Sequence, residues 1–163
     1  MRKGDMLGTF LFGAAALALA PAAHAEMITA KDPAKLAKVI EATDHEAKVV
    51  TDDGTTYIES QHNGLKFLVF FMNCQDDSQD CATIQYYMGY NDAKDTTLEQ
   101  LNQWNREHRF ARAYRDDEGD PVLEMDLDLD FKGLPRENVA ESVETWVSLM
   151  DDYQGFLFGS SEE

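Results

Sequence analysis

Apolar and polar residues follow one another along this chain with two different periods, and each period predicts its own kind of element. Three segments carry apolar residues at three- and four-residue spacing, which is typical of helices with one buried face. Shorter segments, in which apolar and polar residues alternate or nearly every residue is apolar, are typical of β-strands. In chain order the pattern predicts a helix opening at Asp32, strands over residues 47–51, 55–61, 65–72 and 82–90, a helix opening at Thr96, strands over 109–115 and 122–131, and a helix opening at Pro135.

Short turns between these strands indicate the fold class. Asp52-Asp53-Gly54 is a turn sequence, and strands joined by such short turns pair antiparallel. The order α-β-β-β-β-α-β-β-α therefore predicts an α+β fold in which helices flank an antiparallel sheet. Segment 65–72 is apolar at nearly every position, so we expect a central strand covered on both faces. Thr96, with Glu99 three residues later, predicts a capping box at the start of the second helix.

The sequence predicts the pairing register of the hairpin between the last two strands. In segment 122–131 the odd-numbered positions are apolar and the even-numbered positions from 124 to 130 are acidic. The apolar set must share a face with the two alanines of segment 109–115, because small residues let a helix approach the sheet. This register needs a loop with an odd number of residues. Asp117-Glu118-Gly119 supplies three, with Gly119 at the position that favours the left-handed conformation.

The acidic positions of this hairpin are the most distinctive group of side chains. Alternate residues of a strand lie about 6.8 Å apart on one face, so four carboxylates in a row repel one another unless cations or water offset the charge. The row fits a strip that binds a cation or a basic polypeptide, and it is also typical of the solvated face of an amphipathic strand. The register pairs position 112 with 124 and position 110 with 126. The candidate partner-binding residues are therefore Phe110, Arg112, Tyr114, Glu124, Asp126 and Asp128.

Residues 1–25 have the pattern of a secretory signal peptide. Arg2 and Lys3 precede an apolar run, and the segment ends in Ala-His-Ala. The run of about 15 residues is shorter than the ~20 that span a bilayer. We expect cleavage after Ala25, a periplasmic protein with no membrane insertion after cleavage, one domain over residues 26–158, and a flexible acidic tail over 159–163.

The net charge limits the chemistry of possible partners, and the cysteine content predicts a disulfide. The formal net charge is −17, which disfavours nucleic acid and anionic lipid and favours cationic partners, metal ions or simple solubility. Cys74 and Cys81 are the two cysteines. In an oxidising compartment this close pair predicts a disulfide, because the spacing fits neither a zinc finger nor a C-x-x-C redox motif.

Catalytic motifs are not evident in the sequence. His45, His62 and His108 fall in separate predicted elements, and the serines lack a nucleophile-elbow sequence. We therefore expect no cofactor and no enzymatic activity. The competing hypothesis is a hydrolase that uses two strand carboxylates as acid and base, and a third is a structural protein of the envelope stress response.

Three segments resemble the core signature of the YbjN family: residues 102–106 (NQWNR), 109–114 (RFARAY) and 117–126 (DEGDPVLEMD). The cysteine pair after an apolar strand is similar to signal-bearing members. Lys132-Gly133 departs from the family, where paired glycines are common. The resemblance implies a fold like that of type III secretion chaperones, often dimeric, and a role in sensory transduction regulation, with no catalytic residues to transfer.

These observations combine into one expected function, a non-enzymatic periplasmic module that recognises a polypeptide partner, with a homodimer as a further expectation. Three residues of the family signature are expected to be architectural rather than functional. Trp104 lies on the apolar stripe of its helix, Asn105 stands near the end of that helix, and Gly119 forms the hairpin turn.

Overall fold

An antiparallel sheet and three helices make up the residues that the computed structural model describes, 25–75 and 80–159. The predicted signal peptide falls on residues 1–24, and most of the predicted tail falls on residues 160–163; both lie outside the described residues. The helices are α1 (Pro33–Glu41), α2 (Leu98–Glu107) and α3 (Arg136–Phe158). The predicted α+β class is confirmed.

The strands follow the predicted order, with one short addition at each end. They are β1 (Met27–Ile28), β2 (Ala47–Asp52), β3 (Thr55–His62), β4 (Leu65–Met72), β5 (Thr83–Gly89), β6 (Arg112–Arg115), β7 (Pro121–Asp128) and β8 (Leu134–Pro135). Six of them form one sheet in the order β2-β3-β4-β5-β7-β6, with every neighbouring pair antiparallel. The sequence pattern missed β1 and β8, which pair only with each other and are too short to show a period.

A close backbone contact fixes the β1–β8 pair. Gly133 has a φ of +76°, and a Cβ at this position would lie 1.9 Å from the carbonyl oxygen of Ile28. Only glycine fits both the conformation and the space. This accounts for the glycine of the Lys132-Gly133 sequence.

The helices pack on one face of the sheet and bury a core against it. The ring of Trp146 in α3 stacks on Tyr86 at 5.6 Å and meets Phe67 edge-on at 6.3 Å. Trp104 of α2 contacts Tyr153 of α3 at 4.9 Å between ring centroids. The predicted covering of β4 on both faces is therefore wrong. Phe67, Val69 and Phe71 are buried, whereas Leu68 and Phe70 on the other face are only half-buried.

Side-chain caps begin α1 and α2, and one of these two predicted caps was displaced by a single residue. Asp32 accepts the backbone N–H of Lys35 and Pro33 begins α1, as predicted. In α2 the N-cap is Thr97 rather than Thr96, and Gln100 completes the capping box in place of Glu99. Both residue pairs satisfy the motif, so the sequence alone could not choose between them.

The predicted end of the last strand was wrong by three residues. Strand β7 ends at Asp128. The Asp128 side chain accepts the backbone N–H of Asp130, and the Asp130 side chain accepts that of Phe131. Such local bonds replace the ladder partners of a strand. Phe131 consequently has a φ of +58° and is exposed, although its parity predicted burial.

No helix within the described ranges is both long enough and apolar enough to cross a membrane.

Candidate functional site

The β6–β7 hairpin has the predicted register. The backbone N–H of Asp116 bonds to the carbonyl of Asp120, which leaves a three-residue loop, and Gly119 has a φ of +87°. Arg112 is opposite Glu124, and Ala113 is opposite Leu123. The polar parity of the hairpin therefore lies on the sheet face that points away from the helices, called here the open face.

Arg112, Tyr114 and Glu124 form one hydrogen-bonded cluster on the open face. The Arg112 guanidinium donates from Nε at 2.9 Å and from Nη2 at 2.6 Å to Oε2 of Glu124. The Tyr114 hydroxyl donates to Oε1 at 2.7 Å. The Glu124 side chain is 7% exposed and that of Arg112 is 60% exposed. The carboxylate is thus held from both sides, and the guanidinium remains accessible to solvent.

This geometry also raises the pKa of both donors, Arg112 and Tyr114. The hydrogen bond to Glu124 raises the pKa of the Arg112 guanidinium. Partial burial, followed by the hydrogen bond to Glu124, raises the pKa of the Tyr114 hydroxyl above its ordinary range. Both groups keep their protons at any physiological pH, so the cluster is a fixed arrangement of donors around one carboxylate.

The remaining acids of the row are engaged differently. Asp126 accepts a hydrogen bond of 2.9 Å from the Gln85 amide and lies 3.7 Å from Nη1 of Arg112. Asp128 is exposed at the end of β7. Asp130, which the sequence placed in the row, follows the strand and belongs to the turn. Glu124, Asp126 and Asp128 thus occupy alternate positions on one face of β7 and differ in exposure and in partners.

Three aromatic rings cross the open face beside this cluster. Tyr57 of β3 and Phe70 of β4 have ring centroids 6.0 Å apart, and Phe70 and Tyr87 of β5 are 5.6 Å apart. Tyr87 is directly opposite Glu124 in the ladder. All three rings are half-buried. We call Tyr57, Phe70 and Tyr87 the aromatic ladder.

Sequence reasoning missed the aromatic ladder as a functional candidate. The sequence did contain a signal for this surface, because both the odd-numbered and the even-numbered positions of segment 65–72 are almost all apolar. That pattern was interpreted as a doubly covered strand, whereas the structure leaves the second face without a covering helix in the part of the chain that it describes.

Phe110 does not join the other candidate partner-binding residues. Strand β6 begins only at Arg112, so the predicted pairing of Phe110 with Asp126 is wrong. Phe110 has a φ of +73°, which ends the extended pairing before the strand begins. The ring is 69% exposed and borders a depression of about 510 Å³ with Glu141 and Glu144 of α3, on the helix side.

The signature residues Trp104 and Asn105 occupy structural positions. The Trp104 ring is fully buried. The Asn105 amide nitrogen donates to the Ala113 carbonyl at 2.9 Å, and its oxygen accepts the Ala113 N–H at 2.8 Å. Asn105 thus takes the place of a further strand at the edge of the sheet and satisfies both backbone groups of one β6 residue.

Cys74 and Cys81 form a disulfide, as predicted. In the strands that lead into this connection, Phe70 is opposite Gln85 and Met72 is opposite Thr83. The disulfide closes the β4–β5 connection at the acidic end of the open face.

Two histidines that the sequence placed in separate elements are in contact: Nε2 of His45 lies 3.0 Å from Nδ1 of His62. Their spacing in the sequence gave no signal of this contact. Across the described ranges, no group of three or more His, Cys, Asp or Glu side chains is arranged to hold a metal ion.

The comparison with protein families gives a match over most of the chain. The YbjN family model, described as "Putative bacterial sensory transduction regulator", matches residues 32–158. The match includes all three helices, the six-stranded sheet and the open face. No curated protein matches the chain.

Proposed function

The chain belongs to the YbjN family, and from this premise we propose that it is a non-enzymatic module of the periplasm that binds a polypeptide partner on its open face. The family description supports a regulatory or binding role at the level of the family. The partner, the surface and the compartment go beyond this description and are our proposal.

The aromatic ladder is the observation that carries this proposal. Tyr57, Phe70 and Tyr87 present a row of rings across three adjacent strands, with Leu68 half-buried beside them. Exposed apolar surface that runs across neighbouring strands is typical of interaction sites. Tyrosine and phenylalanine are also enriched in protein–protein interfaces, because a rigid ring supplies a large contact area at low entropic cost.

Charges at the two ends of the open face indicate the chemistry of the partner. Asp52 and Asp128 lie in the row that contains Met72, near the disulfide. Lys48 and Lys66 are exposed toward the opposite end of the same face. A polypeptide segment with apolar side chains and a basic residue at the end that meets Asp128 complements this pattern.

The hydrogen-bonded cluster supports binding rather than catalysis. Both oxygens of Glu124 accept hydrogen bonds, so this carboxylate is fixed as a structural acceptor. Most of the Arg112 side chain is accessible while its guanidinium is bonded to Glu124, and a guanidinium in this position can receive a carboxylate of a partner. A hydrolase would need a carboxyl that reaches substrate, whereas the Glu124 side chain is 7% exposed and bonded at both oxygens.

Two features support a location outside the cytoplasm. Residues 1–25 carry the signal-peptide pattern, and the two cysteines are joined in a disulfide. Structural disulfides persist mainly in oxidising compartments.

A peptide panel tests the proposed function with the chain that begins at Glu26. Labelled peptides should share an apolar core and differ only in carrying lysine and arginine, or aspartate and glutamate, at one end. We expect the basic peptides to bind at least tenfold more tightly than their acidic counterparts, with Phe70→Ser abolishing the difference. Leu98→Ser is the matched control, because Leu98 is exposed on α2, away from the sheet. Equal affinity of the two peptide sets, or equal loss in both variants, would overturn the proposal.

A further inference from the structure

Four polar side chains from three separate parts of the fold form one hydrogen-bonded chain, called here the histidine relay. Thr43 Oγ1 lies 3.1 Å from Nδ1 of His45. His45 Nε2 lies 3.0 Å from Nδ1 of His62. His62 Nε2 lies 3.0 Å from Oδ2 of Asp151. The relay connects the α1–β2 loop and the end of β3 to the helix α3.

The direction of each hydrogen bond in the relay follows from its first member. The Thr43 hydroxyl donates its hydrogen to the carbonyl of Ile40 at 2.7 Å, so toward His45 it can only accept. His45 therefore carries its proton on Nδ1, and its Nε2 accepts from Nδ1–H of His62 when His45 is neutral.

The last bond then requires an added proton. Because Nδ1 of His62 is already a donor, a neutral His62 would present a lone pair at Nε2 to the carboxylate of Asp151, and two acceptors cannot bond. All three bonds exist together when the two histidines share one added proton. Either His62 carries protons on both nitrogens, or His45 does and donates from Nε2 to Nδ1 of His62, whose own proton then lies on Nε2. The relay is complete with one added proton on the pair of histidines.

We propose that the histidine relay is a proton-operated clasp, which fastens α3 to the β3–β4 turn when the two histidines together hold one added proton. Loss of that proton leaves His62 Nε2 without a hydrogen for Asp151. Addition of a second proton places an N–H on His45 Nε2 against the N–H of His62. The clasp is therefore closed at intermediate pH and opens on either side.

One amide and several charged side chains surround the relay. The Asn63 amide lies 3.0 Å from His62 Nε2 and 3.3 Å from Oδ1 of Asp151. It donates to the carboxylate while the clasp is closed and becomes a donor to His62 once the proton has left. The charged residues that border the two depressions beside His45 and His62 are Glu41, Asp44, Glu46, Lys48, Glu59 and Lys66. Four of these six are acidic, so the relay lies among mostly acidic side chains.

Thermal unfolding over a range of pH tests this clasp. Asp151→Asn removes the negative charge at the end of the relay and leaves a neutral amide, which pairs with a protonated histidine more weakly than a carboxylate does. We expect it to lower the melting temperature by a few degrees near pH ~6.5, where imidazole groups ordinarily titrate, and by less near pH ~8.5 and pH ~4.5. Asp152→Asn is the matched control, because the exposed Asp152 lies beside Asp151 on the same helix and makes the same charge change. A loss that is independent of pH, or the same profile in both variants, would overturn the proposal.

Nitrogen NMR of the imidazole rings gives a second readout that does not depend on stability. At the pH where Asp151→Asn has its largest effect, we expect the two rings together to carry three nitrogen-bound hydrogens, with the hydrogen between His45 Nε2 and His62 Nδ1 shared. Two neutral rings at that pH would refute the clasp.

Discussion

Arg112 donates two hydrogen bonds to one oxygen of Glu124, across a hairpin whose register follows from the sequence. Because this carboxylate is almost completely buried, Arg112→Ala leaves it with Tyr114 as its remaining side-chain donor. We expect the free energy of unfolding to fall by roughly 1–3 kcal/mol, the cost of a buried polar group that loses its partner, measured by urea denaturation.

Two further variants identify the cause of that loss. Arg106→Ala removes an exposed ion pair with Glu99 and should cost less than ~1 kcal/mol. The double variant Arg112→Ala/Glu124→Leu removes the stranded carboxylate and should recover part of the stability. No recovery would mean that Arg112 stabilises the hairpin by packing rather than through Glu124.

Asn105 should be essential to the edge of the sheet. Asn105→Ala removes both side-chain bonds to the Ala113 backbone, so we expect a loss of roughly 1–3 kcal/mol in the free energy of unfolding. Faster hydrogen exchange of the Ala113 amide should accompany it. Asn102→Ala, at an exposed position on the same helix, is the control and should leave that amide protected. If the two variants exchange equally fast, Asn105 does not protect the edge.

The parts of the fold that the sequence predicted correctly depend on local chemistry. The hairpin register follows from parity and one glycine, and the disulfide follows from two cysteines beside paired strands. The aromatic ladder could not be predicted as a surface, because an apolar parity on β4 does not reveal whether a helix covers it. The predicted pairing of Phe110 with Asp126 was wrong for a related reason. Phe110 has a left-handed φ, and nothing in the sequence indicates that conformation for a bulky residue. The contact between His45 and His62 depends on tertiary structure, because 17 positions separate them.

The disulfide should stabilise the fold without taking part in binding. Replacing Cys74 and Cys81 with serine opens the β4–β5 connection and should lower the free energy of unfolding by about 2.5 kcal/mol on the chain-entropy model. Affinity for the basic peptides should be unchanged at a temperature where both forms are folded. A loss of binding in the folded double variant would show that the connection contacts the partner.

Alkaline pH should destabilise the protein through Tyr86. Its hydroxyl donates to Ser142 at 2.9 Å inside the core, and burial raises the pKa of Tyr86 to about 12. An unfolded tyrosine loses its proton near pH ~10, so between these values the unfolded state binds fewer protons and stability falls as pH rises. The contribution approaches ~2.7 kcal/mol at the upper limit. Tyr86→Phe should flatten this slope in urea unfolding from pH ~9 to ~11.5, and an unchanged slope would contradict the assignment.

Site-specific photo-crosslinking in cells that produce the full chain tests the open face most directly. A photoreactive phenylalanine analogue replaces Phe70 in one strain and Leu98 in another, and the captured polypeptides are identified by mass spectrometry. We predict a polypeptide captured repeatedly from position 70 and not from position 98, with capture reduced by an excess of the basic peptide that binds in vitro. Capture that is equal from both positions, or obtained only from position 98, would contradict the open face as the binding surface.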